Sequence, residues 1–80
     1  MEDNRKDQDM QQQTISGYRV AKRRDEHIPY ELHGPRGAHY GLMRNVKNPD
    51  MMFAVNLKRM GVVDRLGWFT DRSGKLERAA

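Results

Sequence analysis

The fold of this chain is decided by residues 28–43, which read IPYELHGPRGAHYGLM. Apolar and polar side chains alternate on both sides of the central segment, residues 34–37. Alternation with a period of two is typical of half-buried β-strands, and the glycines and proline between them are typical of a turn. The stretch therefore predicts an antiparallel β-hairpin.

Two registers of this hairpin are conceivable, and the sorting of its side chains decides between them. A four-residue loop would mix polar and apolar groups on each face. A three-residue loop, Pro35–Gly37, places glycine where a left-handed backbone is needed and keeps one face apolar. Because a slip of one residue turns every side chain to the other face, we predict the three-residue loop. Its pairs are His33 with His39, Leu32 with Tyr40 and Tyr30 with Leu42.

The same reasoning extends the sheet to a third strand over residues 51–57. Residues 47–50 (KNPD) are a turn signal, in which Pro49 presets the bend. Closed as a four-residue loop, this turn keeps the odd-numbered apolar residues of the third strand on the apolar face of the hairpin. A helix over residues 50–60 is disfavoured, because the apolar residues repeat every two positions. The predicted pairs are Val46 with Met51, Arg44 with Phe53, Leu42 with Val55 and Tyr40 with Leu57.

Weaker signals flank these strands. Residues 18–21 alternate and predict a weak strand, and residues 66–70 (LGWFT) predict a fourth strand of the meander. A three-residue loop, Arg72–Gly74, again ends in glycine and closes a last hairpin. A four-residue loop that pairs Phe69 with Leu76 stays open as an alternative. The three-residue loop pairs Asp71 with Lys75, Thr70 with Leu76 and Trp68 with Arg78.

Together these segments predict a mainly β fold, an antiparallel β-meander of four to five strands that forms a curled sheet or half-open barrel over residues 17–80. Residues 1–16 carry five asparagines and glutamines, six charges and almost no side chain to bury, so they predict a disordered polar tail. The chain has 80 residues and no cysteine. It therefore holds one domain, without disulfides or cysteine-ligated metals.

The registers sort the side chains into an inner apolar face and an outer, more polar face. No long amphipathic helix is predicted to cover the inner face. The sheet therefore curls into a barrel closed by Tyr18 and Val20, or packs on a second copy in a homodimer. The inner face is predicted to carry Tyr30, Leu32, Tyr40, Leu42, Val46, Met51, Phe53, Val55, Leu57, Leu66, Trp68 and Leu76. The outer face is predicted to carry Glu31, His33, His39, Gly41, Met43, Asn45, Met52, Ala54, Asn56, Gly67, Phe69 and Lys75.

The formal net charge of +4 is divided unevenly along the chain. Residues 1–16 carry two basic and four acidic side chains, a net of −2, and residues 17–80 carry thirteen basic and seven acidic side chains, a net of +6. A positive domain favours nucleic acid or an acidic protein surface as a partner. No apolar run is long enough to span a membrane, and the first residues do not resemble a signal peptide, so a cytoplasmic location is expected.

The polar face carries one group of side chains suited to chemistry. Glu31, His33 and His39 converge there, and two imidazoles with a carboxylate can bind zinc. A solvated histidine pair is the preferred interpretation, so no metal or cofactor is predicted. Ser16 and Ser73 have no histidine–carboxylate pair to activate them, and we predict that the protein is not an enzyme.

Two kinds of partner fit the outer face. Met43, Met52 and Phe69 are its apolar members, and methionine adapts to irregular partner surfaces, so they are predicted to bind a protein. We expect a small binding module, an adaptor or inhibitor that docks on an acidic or nucleic-acid-binding partner. The alternative is direct binding of single-stranded nucleic acid through the basic loops and an exposed Phe69. The basic residues predicted to contact nucleic acid or an acidic surface are Arg23, Arg24, Arg36, Arg44, Lys47, Arg72 and Lys75.

Overall fold

The computed structural model of the protein describes residues 13–79. They form one seven-stranded antiparallel sheet, in which each strand pairs with its neighbours along the chain. The mainly β, meandering fold is thus confirmed, with seven strands instead of four to five. The strands are β1 (Gln13–Ile15), β2 (Tyr18–Lys22), β3 (Tyr30–His33), β4 (His39–Arg44), β5 (Met51–Asn56), β6 (Trp68–Thr70) and β7 (Glu77–Arg78). Within residues 13–79, no helix is long and apolar enough to cross a lipid bilayer.

Strand β1 extends the sheet towards the N-terminus beyond the predicted boundary at residue 17. Ser16 and Gly17 link β1 to β2, and both have positive φ angles, 52° and 84°. Two consecutive residues with positive φ form the tight turn that matches the twist of a β-hairpin. The polar tail predicted for residues 1–16 lies outside the described residues up to residue 12, and Gln13–Ile15 belongs to the sheet.

The decisive hairpin, β3–β4, has the predicted register. His33 lies opposite His39, and Leu32 lies opposite Tyr40. The connection Pro35–Gly37 forms a single 3-10 turn, and Gly37 has the expected positive φ of 78°. The prediction of a three-residue loop is therefore confirmed.

The predicted register of β4 with β5 is wrong by one residue. Leu42 lies opposite Ala54, not opposite Val55. The cause lies in the turn, where the side-chain Oδ1 of Asn45 accepts hydrogen bonds from the backbone N–H groups of Lys47 (2.8 Å) and Asn48 (3.2 Å). This local turn lengthens the loop to five residues and leaves Val46 95 % exposed within it, instead of on the inner face.

The slip propagates to the strands that follow. Phe69 pairs with Met52 on the inside, and Trp68 pairs with Phe53 on the outside, so Phe53 and Trp68 do not belong to the inner face. In the last hairpin Thr70 lies opposite Glu77, which matches neither of the two registers considered for it. The inner face is therefore completed by Met52, Ala54 and Phe69, in place of Met51, Phe53 and Trp68. The prediction is also wrong for Val55, which lies opposite Gly41 on the outer side, and for Leu57, which packs over Gly41.

The inner side chains form one core that the chain covers by itself. The core contains Tyr30, Leu32, Leu42, Met52, Ala54, Leu66, Phe69 and Leu76. Tyr18 and Val20 pack against it from β2, as predicted for a half-open barrel, and Ile15 does so from β1. The side chain of Gln13 donates a hydrogen bond to the carbonyl of Leu76 (2.6 Å), which brings the two ends of the sheet together. The barrel is nearly closed, so an uncovered inner face gives no reason for a homodimer.

Candidate functional site

The outer face of the barrel has a polar half and an apolar half. Side chains opposite each other on neighbouring strands point to the same side of a sheet, so the register fixes which groups share a surface. The polar half lies on β2, β3 and β4, around Glu31. The apolar half lies on β4, β5 and β6, around Phe53.

The apolar half is organised by a row of three side chains that crosses the sheet. Met43 lies opposite Phe53, and Phe53 lies opposite Trp68. The rings of Phe53 and Trp68 meet edge to face, with centroids 5.7 Å apart and planes 77° apart. This geometry is favourable for aromatic pairs and holds the indole in place. Trp68 is nevertheless 42 % exposed, so much of its surface is available to a partner.

Beside this row lies a groove with a volume of about 220 Å³. The segment that follows β5 builds its far wall, because the N–H of Val63 donates a hydrogen bond to the carbonyl of Ala54 (2.8 Å). Val62 remains 55 % exposed at the rim. The groove, called the outer groove below, is lined by Phe53, Val62, Val63, Asp64, Gly67 and Trp68.

Gly67 shapes the floor of the outer groove. Its φ of 74° is one that residues with side chains rarely adopt. A Cβ at this position would lie 3.2 Å from the guanidinium of Arg78. Arg78 lies opposite Phe69, with its guanidinium 5.6 Å from the centroid of that ring, so it belongs to the inner side of the sheet and not to the groove.

The two halves of the outer face are separated by a small apolar contact over Gly41. A Cβ on Gly41 would lie 2.7 Å from a methyl of Ile28 and 2.8 Å from a methyl of Leu57. These side chains therefore pack directly on the backbone of β4. Ile28 is held there because the Oδ1 of Asp25 accepts hydrogen bonds from the N–H groups of His27 and Ile28.

In the polar half, three side chains converge on the carboxylate of Glu31. The Oε1 of Glu31 lies 2.9 Å from the Nε2 of His33 and 2.9 Å from the Nε2 of His39. The two imidazole rings are stacked, with centroids 4.4 Å apart. Arg23 donates a hydrogen bond of 2.6 Å to the other oxygen, Oε2. The predicted convergence of Glu31, His33 and His39 is therefore present.

The charge state of Glu31 follows from these contacts. Partial burial raises the pKa of Glu31, but hydrogen bonds from His39, Arg23 and His33 outweigh it, and the pKa lies below its usual value. Glu31 is consequently an ionised carboxylate at neutral pH. It can accept hydrogen bonds from cationic or neutral donors, or ligate a cation.

Two of the basic residues predicted to contact nucleic acid or an acidic surface form ion pairs within the protein itself. Arg23 is paired with Glu31 and lies 3.8 Å from a carboxylate oxygen of Asp25. Arg44 donates two hydrogen bonds to the carboxylate of Asp71, from Nη2 to Oδ2 (2.7 Å) and from Nη1 to Oδ1 (3.3 Å). Its Nη1 also donates a hydrogen bond to the carbonyl of Pro49. That carboxylate raises the pKa of Arg44 above its usual value.

The other five predicted basic residues are exposed, and within residues 13–79 none of them forms an ion pair. Because the sheet is a meander, its connections lie alternately at two ends. The connections β2–β3, β4–β5 and β6–β7 share one end, so they bring four of the five to the same end of the barrel, and only Arg36 lies at the other end. The four are Arg24, Lys47, Arg72 and Lys75.

The predicted protein-binding residues are placed differently from the prediction. Met52 and Phe69 are 0 % exposed and lie in the core, so the prediction that they form an exposed surface is wrong. Met43 is half-buried on the outer face, as predicted, and belongs to the apolar half. The missed residues are Phe53 and Trp68. The adjacent pairs Met52–Phe53 and Trp68–Phe69 did contain a signal, because consecutive side chains in a strand point to opposite faces.

Comparison of the chain with protein-family models, with curated proteins and with solved structures gave no match.

Proposed function

We propose that this protein is a small non-enzymatic binding module that uses the outer groove to dock on a partner protein. The observation that carries the proposal is the row Met43–Phe53–Trp68 outside a core that is already complete. These side chains are not needed to close the barrel, yet they place a half-exposed tryptophan beside an apolar groove. Tryptophan and methionine are enriched at protein interfaces, and tryptophan is the most frequent kind of hot-spot residue.

The size of the outer groove favours a protein side chain as its occupant. Its volume of about 220 Å³ is below the range of about 300–1,000 Å³ that is typical of small-molecule sites. One large apolar side chain of a partner would fill much of it and would contact the face of Trp68. A single anchor in a small groove is the usual arrangement of an interface hot spot.

Charge complementarity indicates what surrounds that anchor. Residues 17–80 carry thirteen lysines and arginines, and within the described part of the chain only Arg23 and Arg44 form ion pairs with carboxylates. The net charge of +6 over residues 17–80 gives the domain a positive surface, which attracts acidic groups of a partner. The partner segment proposed is an apolar residue flanked by aspartates or glutamates. Such a module would act as an adaptor, or as an inhibitor that occupies a partner's acidic surface.

Selection from a displayed peptide library tests this proposal. The expected result is enrichment of peptides with an aromatic or large aliphatic residue flanked by acidic residues. Their affinity should fall about tenfold or more on Trp68→Thr, because losing a buried hot-spot contact costs at least about 2 kcal/mol. Val46→Thr is the matched control, since Val46 is 95 % exposed and lies in the β4–β5 turn. Selected peptides that bind Trp68→Thr as tightly as the wild type would refute the groove as the docking site.

Binding of single-stranded nucleic acid is the second candidate, and the exposed indole favours it. Bases stack on tryptophan irrespective of sequence, and nearby basic groups attract phosphates. Trp68 is the one tryptophan of the chain, so its fluorescence reports on the groove alone. Titration with a dT20 oligonucleotide should quench this fluorescence, with an affinity that falls steeply as salt is raised. Unchanged Trp68 fluorescence at low salt would exclude this candidate and leave the protein partner.

A further inference from the structure

We propose that Glu31, His33 and His39 form a binding site for a divalent transition-metal ion, with zinc as the best-suited ion. Each of the three residues offers one ligand atom, and these atoms lie within 4.8 Å of one another. Two imidazole nitrogens and one carboxylate oxygen are a common donor set for a zinc ion that keeps an open position. The site lies in the polar half of the outer face and is independent of the outer groove.

The distances fit a common ion with small adjustments. Each Nε2 lies 2.9 Å from the same oxygen, Oε1 of Glu31. Nitrogen and oxygen ligands bind zinc at about 2.0–2.2 Å, so two ligands of one ion lie roughly 3.0–3.4 Å apart for bond angles between octahedral and tetrahedral. Each of these two distances would therefore need to lengthen by only a few tenths of an ångström, and the ligand atoms of His33 and His39 lie within 4.8 Å of each other.

The proton balance of binding is simple. Without metal, each Nε2 can donate its hydrogen to Oε1, and with metal both Nε2 lone pairs and Oε1 point at the ion. A neutral imidazole then carries its one proton on Nδ1, and no further reactant is needed. The side chains of His33 and His39 are 34 % and 43 % exposed, so water can accept hydrogen bonds from the Nδ1–H groups.

Arg23 positions the carboxylate for this role. Its 2.6 Å hydrogen bond holds Oε2 of Glu31 and turns Oε1 towards the imidazoles. Hydrogen-bonded partners of this kind commonly orient carboxylate ligands in metal sites.

The backbone supplies the remaining preorganisation. Glu31 and His33 are two residues apart on β3 and therefore point to the same face, and His39 lies directly opposite His33 on β4. The short turn Pro35–Gly37 joins these strands, with a hydrogen bond from the N–H of Gly34 to the carbonyl of Ala38 (2.8 Å). Ligands on paired strands are held more firmly than ligands on a loop. The three protein ligands leave at least one coordination position for water or for a donor from a partner.

Calorimetric titration of the chelator-treated protein with zinc chloride tests the site. The expected result is one zinc ion per chain. The affinity should fall at least about 100-fold in His39→Ala, because loss of a residue that only supports a ligand already costs about 10- to 100-fold and His39 is itself a ligand. His27→Ala is the matched control, because His27 is the third histidine of the chain and is absent from the cluster. Glu31→Gln keeps the shape of the side chain but removes its charge, and it should also weaken zinc binding.

Imidazole NMR signals give a second readout that does not depend on any variant. Zinc should shift the ring signals of His33 and His39 in the wild-type protein and leave those of His27 in place. The proposal is overturned if the wild-type protein takes up no zinc, if the ring signals of His33 and His39 do not respond, or if folded His39→Ala binds zinc as tightly as the wild type. A loss of binding in His27→Ala as large as that in His39→Ala would equally overturn it.

Discussion

Threonine substitutions at two neighbouring positions, Trp68→Thr and Phe69→Thr, should have very different effects on stability. Both residues lie in β6, and threonine has a high strand propensity, so the backbone preference is the same at both sites. What differs is the face of the sheet. Phe69 is 0 % exposed inside the barrel, and Trp68 is 42 % exposed on the outer face.

The magnitudes follow from this burial. Truncating a fully buried phenylalanine to alanine costs about 3–5 kcal/mol, and the threonine hydroxyl placed in the core adds to that cost. Trp68→Thr loses roughly half of an aromatic side chain's burial and the edge contact with Phe53, about 1–2 kcal/mol, and water fills the open groove. A domain of this size has a total stability of about 3–10 kcal/mol. Phe69→Thr should therefore be unfolded or close to it, and Trp68→Thr should stay folded.

Urea denaturation followed by circular dichroism measures both effects. Trp68→Thr should keep a cooperative transition at a moderately lower midpoint, and Phe69→Thr should lack a folded baseline or unfold at very low urea. The opposite ranking, with Phe69→Thr the more stable variant, would refute the observed register of β5 and β6. Equal destabilisation by the two substitutions would also contradict a one-sided core.

Three further predictions concern other contacts of the fold and the metal site. Arg44→Met leaves the carboxylate of Asp71 without its bidentate partner and should lower the free energy of unfolding by about 1–3 kcal/mol in urea denaturation. This loss is smaller than that expected for a fully buried ion pair, because both side chains are partly exposed. Gly41→Ala should lower the free energy of unfolding by about 1–3 kcal/mol in the same assay, because the added methyl would overlap the side chains of Ile28 and Leu57. Gly61→Ala should be close to neutral, because a methyl there would meet no atom within 4 Å. Zinc at 100 times its Kd should stabilise the wild-type protein by about 2.7 kcal/mol in thermal unfolding and leave His39→Ala unchanged.

Each of these predictions has an outcome that contradicts it. Arg72→Met is the control for the ion pair, because Arg72 is exposed and forms no ion pair within residues 13–79, and an equal loss in both variants would show that the Arg44–Asp71 pair contributes nothing specific. Equal stability of the two glycine variants would contradict the close packing of Ile28 and Leu57 on β4. A zinc-dependent increase in melting temperature that persists in His39→Ala would place the ion elsewhere.

The part of the fold that could be predicted from the sequence is the part fixed by short-range pattern. In the β3–β4 hairpin, one face is apolar only in a single register, and a glycine stands where the turn needs a positive φ. The cluster of Glu31, His33 and His39 was predictable for the same reason, because all three residues flank one short turn. The curled sheet followed from the absence of any helix to cover its apolar side.

The register of β5 was not predictable from the same pattern. The strand Met51–Asn56 (MMFAVN) has apolar side chains on both faces, so neither register would bury a charged group. The register therefore depends on the turn before the strand. There the Asn45 side chain bonds to the backbone and adds a residue to the loop. Pro49 favours a four-residue turn, but the Asn45 side chain forms a turn of its own one step earlier in the chain. Strand β1 was missed because Ser16–Gly17 was not recognised as a two-residue hairpin turn.

The outer groove could not be predicted, because it combines two non-local features. Its floor depends on the β5–β6 register, and its wall depends on the return of residues 61–63 along β5, where Val62 forms an isolated bridge with Val55. Neither contact leaves a periodic pattern in the sequence. The sequence pattern therefore places Phe53 and Trp68 in the core, although they lie on the outer face. It places Met52 and Phe69 on the outer face, although they lie in the core.

The outer groove exists only if the indole of Trp68 lies outside the barrel. Nuclear Overhauser effects from the indole protons in the free protein measure which side chains surround it. We expect contacts with Phe53 and with the groove wall at Val62 and Val63. Contacts of the indole with Leu32 or Leu42 instead would put tryptophan in the core and contradict the account.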